Sequence, residues 1–406
     1  MPDDWTDDDR EPVLILARRT PFTRKHGALA SVTADGLLAP VLAAVVAESG
    51  IDPASIDDVI IGNAVGAGGN VARLAALRAG LPVTVPAQTI DRQCGSGLEA
   101  IVLACRLIAA GAGTAYLAGG VDSTSTAPLR AHRLTSRPGA PDFFDRVRFA
   151  PDTLGDPDMG VSADAVAERC GISRARQDAF ALRSHERAVR ATDAGEFAEE
   201  IIPLTTPAGI TVAADQGARR TMSTSFLARF GPAFTANGTV TAGNSCADAD
   251  GAVVVLVTNR TIAAELGAVR MLRFVDAVSV GTDPNYLGLA GGEAARLLLG
   301  RRGVSPPALD NVEFTEAFAA QALAALDVME VPEERANRQG GAIAFGHPFG
   351  ASGALLVLRL LHPAREGTLG GLSLAALSIA GGLGTAALWE RIDEQRGTGT
   401  GTGADG

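Results

Sequence analysis

Apolar and polar positions follow two rhythms along this chain, and the switches between them mark out its elements. Short apolar runs have the length and composition of strands: VLILA (13–17), DVIIGNAV (58–65), PAQTI (86–90), AYLAGG (115–120), VVVLVT (253–258) and RFVDAVSV (273–280). Between them, helical periodicity covers 36–48, 70–79 and 97–110. In the last of these, Leu98, Ile101, Val102, Cys105 and Ile108 make one buried stripe, so Cys105 belongs to the core. A further helix is predicted over 174–194, with Ser173 as its N-cap and Gln177 near the capping-box position. Strands alternating with helices predict an α/β layered fold with parallel or mixed sheets.

The pattern occurs twice. SIDDVII (55–61) is matched by ALDNVEF (308–314), DRQCGSG (91–97) by NRQGGAI (337–343), and AYLAGGVDS (115–123) by SLAALSIAGGLGT (373–385). Two βαβ-rich copies packed together follow from this, and a site at their junction would draw on both. Between the copies, about 121–250 loses the repeat, and 130–158, rich in Arg, Pro and Asp, predicts a loop. An acidic stretch (1–11) precedes the first copy, and a low-complexity Gly/Thr tail (392–406) is expected to be disordered.

Composition narrows the function. A length of 406 residues suits two domains, and 47% hydrophobic with 20% charged residues marks a globular chain. The apolar run at 37–47 is too short to cross a bilayer, and the acidic N-terminus lacks a signal-peptide pattern, so a cytoplasmic, membrane-free protein is expected. The net charge of −11 argues against nucleic acid. Lys25 is the only lysine, so no P-loop exists and a Schiff base could form only there. Four irregularly spaced cysteines and five scattered histidines predict neither a disulfide framework nor a metal site.

Two stretches carry candidate chemistry. Cys94 stands at a strand-to-helix elbow between Gln93 and a Gly-Ser-Gly run. It reads either as a small buried residue or as a nucleophile whose thiolate the helix N-terminus stabilises, in which case it should react first with iodoacetamide. His347 lies in the glycine-rich GGAIAFGHPFGASG (340–353), before a helix expected from about 352. It is either structural or the base for Cys94. The arginines Arg130, Arg133, Arg137, Arg146 and Arg148 read as a solvated loop face, or as a phosphate or subunit contact.

Over nearly all of 12–391 the sequence resembles the thiolase family. The resemblance rests on RQCGSGLEA (92–100), MGVSADAVAE (159–168), ISRARQDAFALRSHERA (172–188), PAF…GTVTAGN (232–244), DADGA (248–252), EAFAAQ (316–321), GGAIAFGHPFGASG (340–353) and AGGLGTA (380–386). It implies a duplicated fold stacked αβαβα: an N-terminal domain (12–268) with a loop domain inserted at about 121–250, and a C-terminal domain (269–391). It also implies an acyl-CoA C-acyltransferase that works on coenzyme A thioesters without a tightly bound cofactor, as a homodimer or homotetramer. Carried over by position, Cys94 takes the acyl group and His347 is its base. The N–H groups of Cys94 and of a glycine in 380–384 stabilise the oxyanion. Met159, Arg219, Phe234, Ala242, Cys246 and Phe318 fall where thiolases contact the CoA.

Departures concentrate on the carbon–carbon step. Ser378 stands where the family has a second cysteine, and Thr315 where it has an Asn. Asp158, Phe226 and Cys246 replace a His and two Ser on the CoA side. Serine is a poor base at neutral pH, so acyl loading with slow Claisen chemistry is the expectation. The rivals are a non-Claisen acyltransferase or thioesterase-like enzyme, and a catalytically silent scaffold.

Overall fold

The computed structural model describes residues 6–66, 68–132, 141–144, 146–367 and 371–393. One ten-stranded sheet carries both copies, nine strands forming its path and the short Thr23–Arg24 pairing beside Ala249–Asn259. From the first come Pro12–Arg19, Ala249–Asn259, Ala115–Ser123, Asp58–Gly62 and Ala87–Ile90, side by side in that order. The second contributes Arg270–Gly281, Leu383–Asp393, Leu372–Ile379 and Leu309–Phe314. The halves join where Val13 pairs with Arg273 and Leu14 with Leu272.

Pairing senses repeat as well as order. Outward from the join, the first half runs antiparallel, antiparallel, parallel, parallel. The second runs antiparallel, antiparallel, parallel, and a lone parallel bridge, Val312 to Ala336, stands where the fourth pair would be. The repeat in the sequence is thus a repeat of topology.

Alternation along a single strand builds the layers. Val253, Val255 and Val257 face a central core with helices Ser96–Ala109 and Phe349–Glu366, through Leu98, Ile101, Leu358 and Leu361. The residues between them, Val254 and Leu256, face helices Ala34–Ser49 and Val71–Arg78. In the other half, Leu374 and Ala376 face helices Leu289–Arg302 and Ala319–Val328. The stack is αβαβα, and the strand Ala249–Asn259 reads as one apolar run because both its faces are covered.

The two central helices approach at backbone distance. The Gly350 carbonyl lies where a Cβ on Gly97 would be 2.5 Å away and one on Gly120 only 1.8 Å. A side chain at Gly97 would drive the two helices apart, and one at Gly120, on the strand Ala115–Ser123, would push helix Phe349–Glu366 off the sheet.

The segment between Ser123 and Ala249 holds helices Met159–Arg169 and Arg174–Asp193. Ser173 caps the second, its Oγ accepting from the Arg176 N–H at 3.2 Å. Gln177 closes no capping box, because its amide donates to the Ile172 carbonyl and to Thr239. The expected loop over 130–158 contains a short ribbon, Arg130–His132 against Asp142–Phe144, with the His132 and Phe144 rings stacked at 4.6 Å. Arg133, Arg137 and most of the Gly/Thr tail lie outside the described residues. Among the described residues no helix is long and apolar enough to cross a membrane. The same residues contain no group of three or more His, Cys, Asp or Glu that could hold a metal ion.

Candidate active site

Cys94 leaves the strand Ala87–Ile90 through a tight elbow. Gln93 has φ +50°, in the left-handed region, which costs a residue with a side chain about 1–2 kcal/mol. Local bonds hold it there. Asp91 accepts from the Gln93 N–H at 2.7 Å, while Ser96 Oγ accepts from the Arg92 N–H at 2.8 Å and donates to the Gln93 carbonyl at 2.6 Å. The Arg92 and Gln93 carbonyls in turn accept from Gly95 and Ser96 at 3.0 Å. Helix Ser96–Ala109 starts directly afterwards.

The Cys94 thiol is not shifted toward the thiolate that the helix start was expected to favour. Burial pushes the Cys94 thiol up to about 12, and the buried Asp122 carboxylate adds to the shift. Taking a charge out of water outweighs the helix end and the N–H groups of Ala380 and of Cys94 itself, which favour the thiolate. Asp122, fully buried, accepts N–H bonds from Ala64, Val65 and Gly350 and from the Asn63 amide. It thereby ties the 62–65 turn to the start of helix Phe349–Glu366. That helix begins three residues before the expected 352, immediately after Pro348.

His347 is 2% exposed, and its backbone N–H donates to the Ala247 carbonyl at 2.8 Å. Its Nδ1 lies 2.5 Å from Ser352 Oγ, and that hydroxyl donates onward to the Pro348 carbonyl at 2.9 Å. With the hydroxyl donating to Pro348, the network favours the tautomer in which Nδ1–H donates to Ser352 Oγ and Nε2 keeps a lone pair. Nε2 is buried and has no hydrogen-bond partner. Burial lowers the His347 pKa to about 4, so the ring is a neutral base.

From the second half, the Ala380 backbone N–H faces the Cys94 sulfur and favours its ionised form. Ile379, just before it, sits against Gly95, where a Cβ would meet its Cδ1 at 2.4 Å.

Thr315 and Ser378 differ in what they can do. Thr315 is 3% exposed and its Oγ1 lacks a partner, so the hydroxyl is free for a ligand. Ser378 is committed: its hydroxyl donates to the Gly288 carbonyl at 2.7 Å and accepts from the Gly291 N–H at 3.0 Å. An alkoxide there would face that carbonyl oxygen. Ser378 ties its strand to the start of helix Leu289–Arg302, with its hydroxyl engaged as both donor and acceptor.

The CoA-side positions form two joined groups. Arg219 and Ala242 line a cavity of about 130 Å³ with Arg24, His185, Ser245 and Ala247. The Arg219 N–H donates to His185 Nδ1 at 3.2 Å, and burial with Arg219 and Arg24 nearby lowers His185 to about 4. Met159 opens its helix beside Gly160, which Phe234 covers, and Phe234 meets Phe318 edge to face at 5.8 Å. A bridge from Ser245 to Phe318 joins the groups, and Cys246 follows it. Asp158 is offset by Arg146, whose Nε donates to it at 2.8 Å, and Phe226 packs edge to face on Phe230.

Sequence reasoning missed Ser352, Asp122 and Ala380. Ser352 was within reach, since a hydroxyl five residues past a histidine at a helix start can return to the ring. Asp122, an acid at the end of a wholly buried strand, carries a signal only once that strand is known to be buried.

Comparison with known proteins agrees with this geometry. Residues 12–261 match the family model "Thiolase, N-terminal domain", and 269–391 match "Thiolase, C-terminal domain". The Bacillus subtilis (strain 168) protein named "Putative acetyl-CoA C-acetyltransferase YhfS" is 42% identical over 380 residues, covering 93% of this chain and 98% of that one. "Putative acetyl-CoA C-acetyltransferase VraB" of Staphylococcus epidermidis is 41% identical over 384 residues, covering 94% and 99%. The crystal structure of the Bacillus anthracis acetyl-CoA acetyltransferase superposes with a TM-score of 0.87 at 32% identity, covering 94% and 99%. With the two thiolase family models together matching nearly all of 12–391, and relatives more than 40% identical along almost the whole chain, this chain belongs to the thiolase family.

Proposed function

We propose that this thiolase-family acyltransferase loads an acyl group from acyl-CoA, acetyl-CoA first, onto Cys94. Nε2 of His347 takes the thiol proton as sulfur attacks the thioester carbonyl. The N–H groups of Cys94 and Ala380 hold the oxyanion, and the C–S bond to CoA then breaks. The departing CoA sulfur takes the proton back from His347. Because thiol and imidazole are both neutral at rest, proton transfer accompanies attack. Arg219, Ala242 and Cys246 would meet the pantetheine arm from one side, and Met159, Phe234 and Phe318 from the other, with CoA as substrate and leaving group. The observation that carries the reading is the buried His347, fixed at Nδ1 by Ser352 with Nε2 open.

Intact-mass spectrometry after incubation with acetyl-CoA tests it. Wild type should gain one acetyl group, Cys94→Ala none, and His347→Ala should load roughly 10²–10⁴ more slowly. An undiminished adduct on Cys94→Ala would sink the assignment. The strand Ala87–Ile90 ends the sheet with one side unpaired among the described residues, and we propose that a second copy pairs there. Light scattering showing a monomer at micromolar concentration would overturn that dimer.

A further inference from the structure

We propose that Asp122 is a positioning residue for acyl loading, its carboxyl group holding the His347 turn against the Cys94 elbow. The inference rests on the Cys94 loading reading and adds what keeps base and nucleophile in register.

The two oxygens of Asp122 divide between the two halves of the molecule. Oδ1 accepts from the first half, from the Asn63 amide at 2.7 Å and from the Ala64 and Val65 N–H groups at 3.1 Å. Oδ2 accepts from the second half, from the Gly350 N–H at 2.6 Å. Asp122 itself is fully buried near the end of strand Ala115–Ser123.

Each grip lies next to a segment that carries a reacting side chain. In the first half, the Asn63 N–H donates to the carbonyl of Ile90, the last residue of the strand that leads into the elbow. Its neighbour Gly62 packs on the helix start of that elbow, where a Cβ would meet the Gly97 nitrogen at 2.6 Å. In the second half, Gly350 follows His347 by three residues. Within that turn the ring is fixed by Ser352, and the Ser352 N–H donates to the Pro348 carbonyl at 2.9 Å. Gly350 also rests directly on the first half, a Cβ there meeting the Gly62 and Val121 carbonyls at 2.9 Å. No side chain stands between the two segments at this point, so the bonds to Asp122 set how they sit.

The residue type fits the task. Two acceptor oxygens, one turned to each half, satisfy four N–H groups; a side-chain amide has one such oxygen and an aliphatic side chain none. An apolar residue here would avoid burying a carboxyl and would orphan all four donors.

The test is a double-mutant cycle on the full chain, read by single-turnover acetyl loading of Cys94. Asp122→Asn keeps the shape but turns an NH₂ group onto the N–H donors of one half. It should slow loading roughly 10²-fold, the effect of about 1 Å of misplacement. CoA affinity by calorimetry should stay within about twofold, since the partners of Asp122 are not CoA-side positions. In a His347→Ala background the same substitution should slow loading less than about threefold, because an absent base cannot be misplaced. Asn63→Ala removes one of the four bonds from a half-buried position and carries the test if Asp122→Asn does not fold. It should slow loading by about three- to tenfold with His347 present and have no further effect with His347→Ala. Equal slowing with and without His347 overturns the proposal. So does wild-type loading by a folded Asp122→Asn, or slowing matched by lost CoA affinity, and any of these leaves the loading reading standing. A wild type that fails to load Cys94 removes that reading and this one with it.

Discussion

Burial leaves His347 unprotonated at rest. Its pKa of about 4 keeps it basic across the physiological range, so the acid limb of acyl loading should lie near pH 4 rather than 6.5. Ser352→Ala frees the ring to adopt either tautomer and leaves a buried N–H unpaired, a penalty of about 1–3 kcal/mol. Single-turnover loading against pH should then fall by roughly tenfold or more and lose its sharp acid limb, with Ser352→Thr restoring both. An unaltered profile in Ser352→Ala would show that the hydroxyl does not set the tautomer. Cys94 and His347 were legible in the sequence because each stands in a glycine-containing turn just before an apolar helix. Their protonation states were not, because burial comes from the other half of the chain.

At the scale of elements, the site is made by where strands end and helices begin. The elbow after Ala87–Ile90 and the turn into Phe349–Glu366 bring Cys94 and His347 to facing helix starts, and the Gly97, Gly120 and Gly350 contact fixes the spacing. Strand and helix positions were readable from periodicity to within a few residues. Their antiparallel join at Val13 and Leu14 was not, since pairing with Arg273 and Leu272, in the other half of the sequence, leaves no local pattern. Ser378 shows how an element can claim a residue that chemistry seems to want. From sequence, Ser378→Cys should raise thiolysis by up to about 10²–10⁴. The structure leads to another expectation. A thiol bonds poorly to the Gly288 carbonyl and Gly291 N–H, so stability should drop by about 1–2 kcal/mol, while thiolysis changes less than tenfold. Denaturant melts paired with thiolysis rates decide between them, and a hundredfold gain would restore Ser378 as the limiting position.

For the whole molecule, buried charge is the organising tension. Arg19, 1% exposed, pairs with Asp215 at 2.6 Å and Glu200 at 2.7 Å, and Arg359 reaches the same Glu200 at 3.2 Å. This cluster fastens the inserted segment to a strand of the first half and a central helix of the second. Its neighbour Glu313 is 4% exposed, and burial raises it to about 8 against the pull of Arg359. In the unfolded chain that carboxyl ionises near 4.5, so the folded state binds the extra proton between there and about 8. Its stabilisation is complete below the unfolded pKa and is lost as pH rises through the folded one. His347 and His185, depressed to about 4, act in the opposite sense: their contribution is present above 6.5 and is lost as pH falls toward 4. The two effects oppose each other between about 4.5 and 6.5, and above that Glu313 acts in the same sense as Asp122, raised by burial to about 7, and Glu316, also raised by burial. Unfolding free energy should fall by roughly 2 kcal/mol from pH 6.5 to 8. Glu313→Gln should flatten that slope, and a slope equal to wild type would assign it to another group.

The protonated state of Cys94 has a consequence for survival of the enzyme. Peroxide and alkylating agents consume thiolates, and a thiol held near 12 offers them almost none. The exposed Cys170 would be lost first, a harmless casualty far from the elbow in sequence and outside the core. The reactive sulfur exists only while a thioester carbonyl is there to receive it. A catalyst of this design tolerates oxidants at rest and becomes vulnerable in proportion to its own turnover.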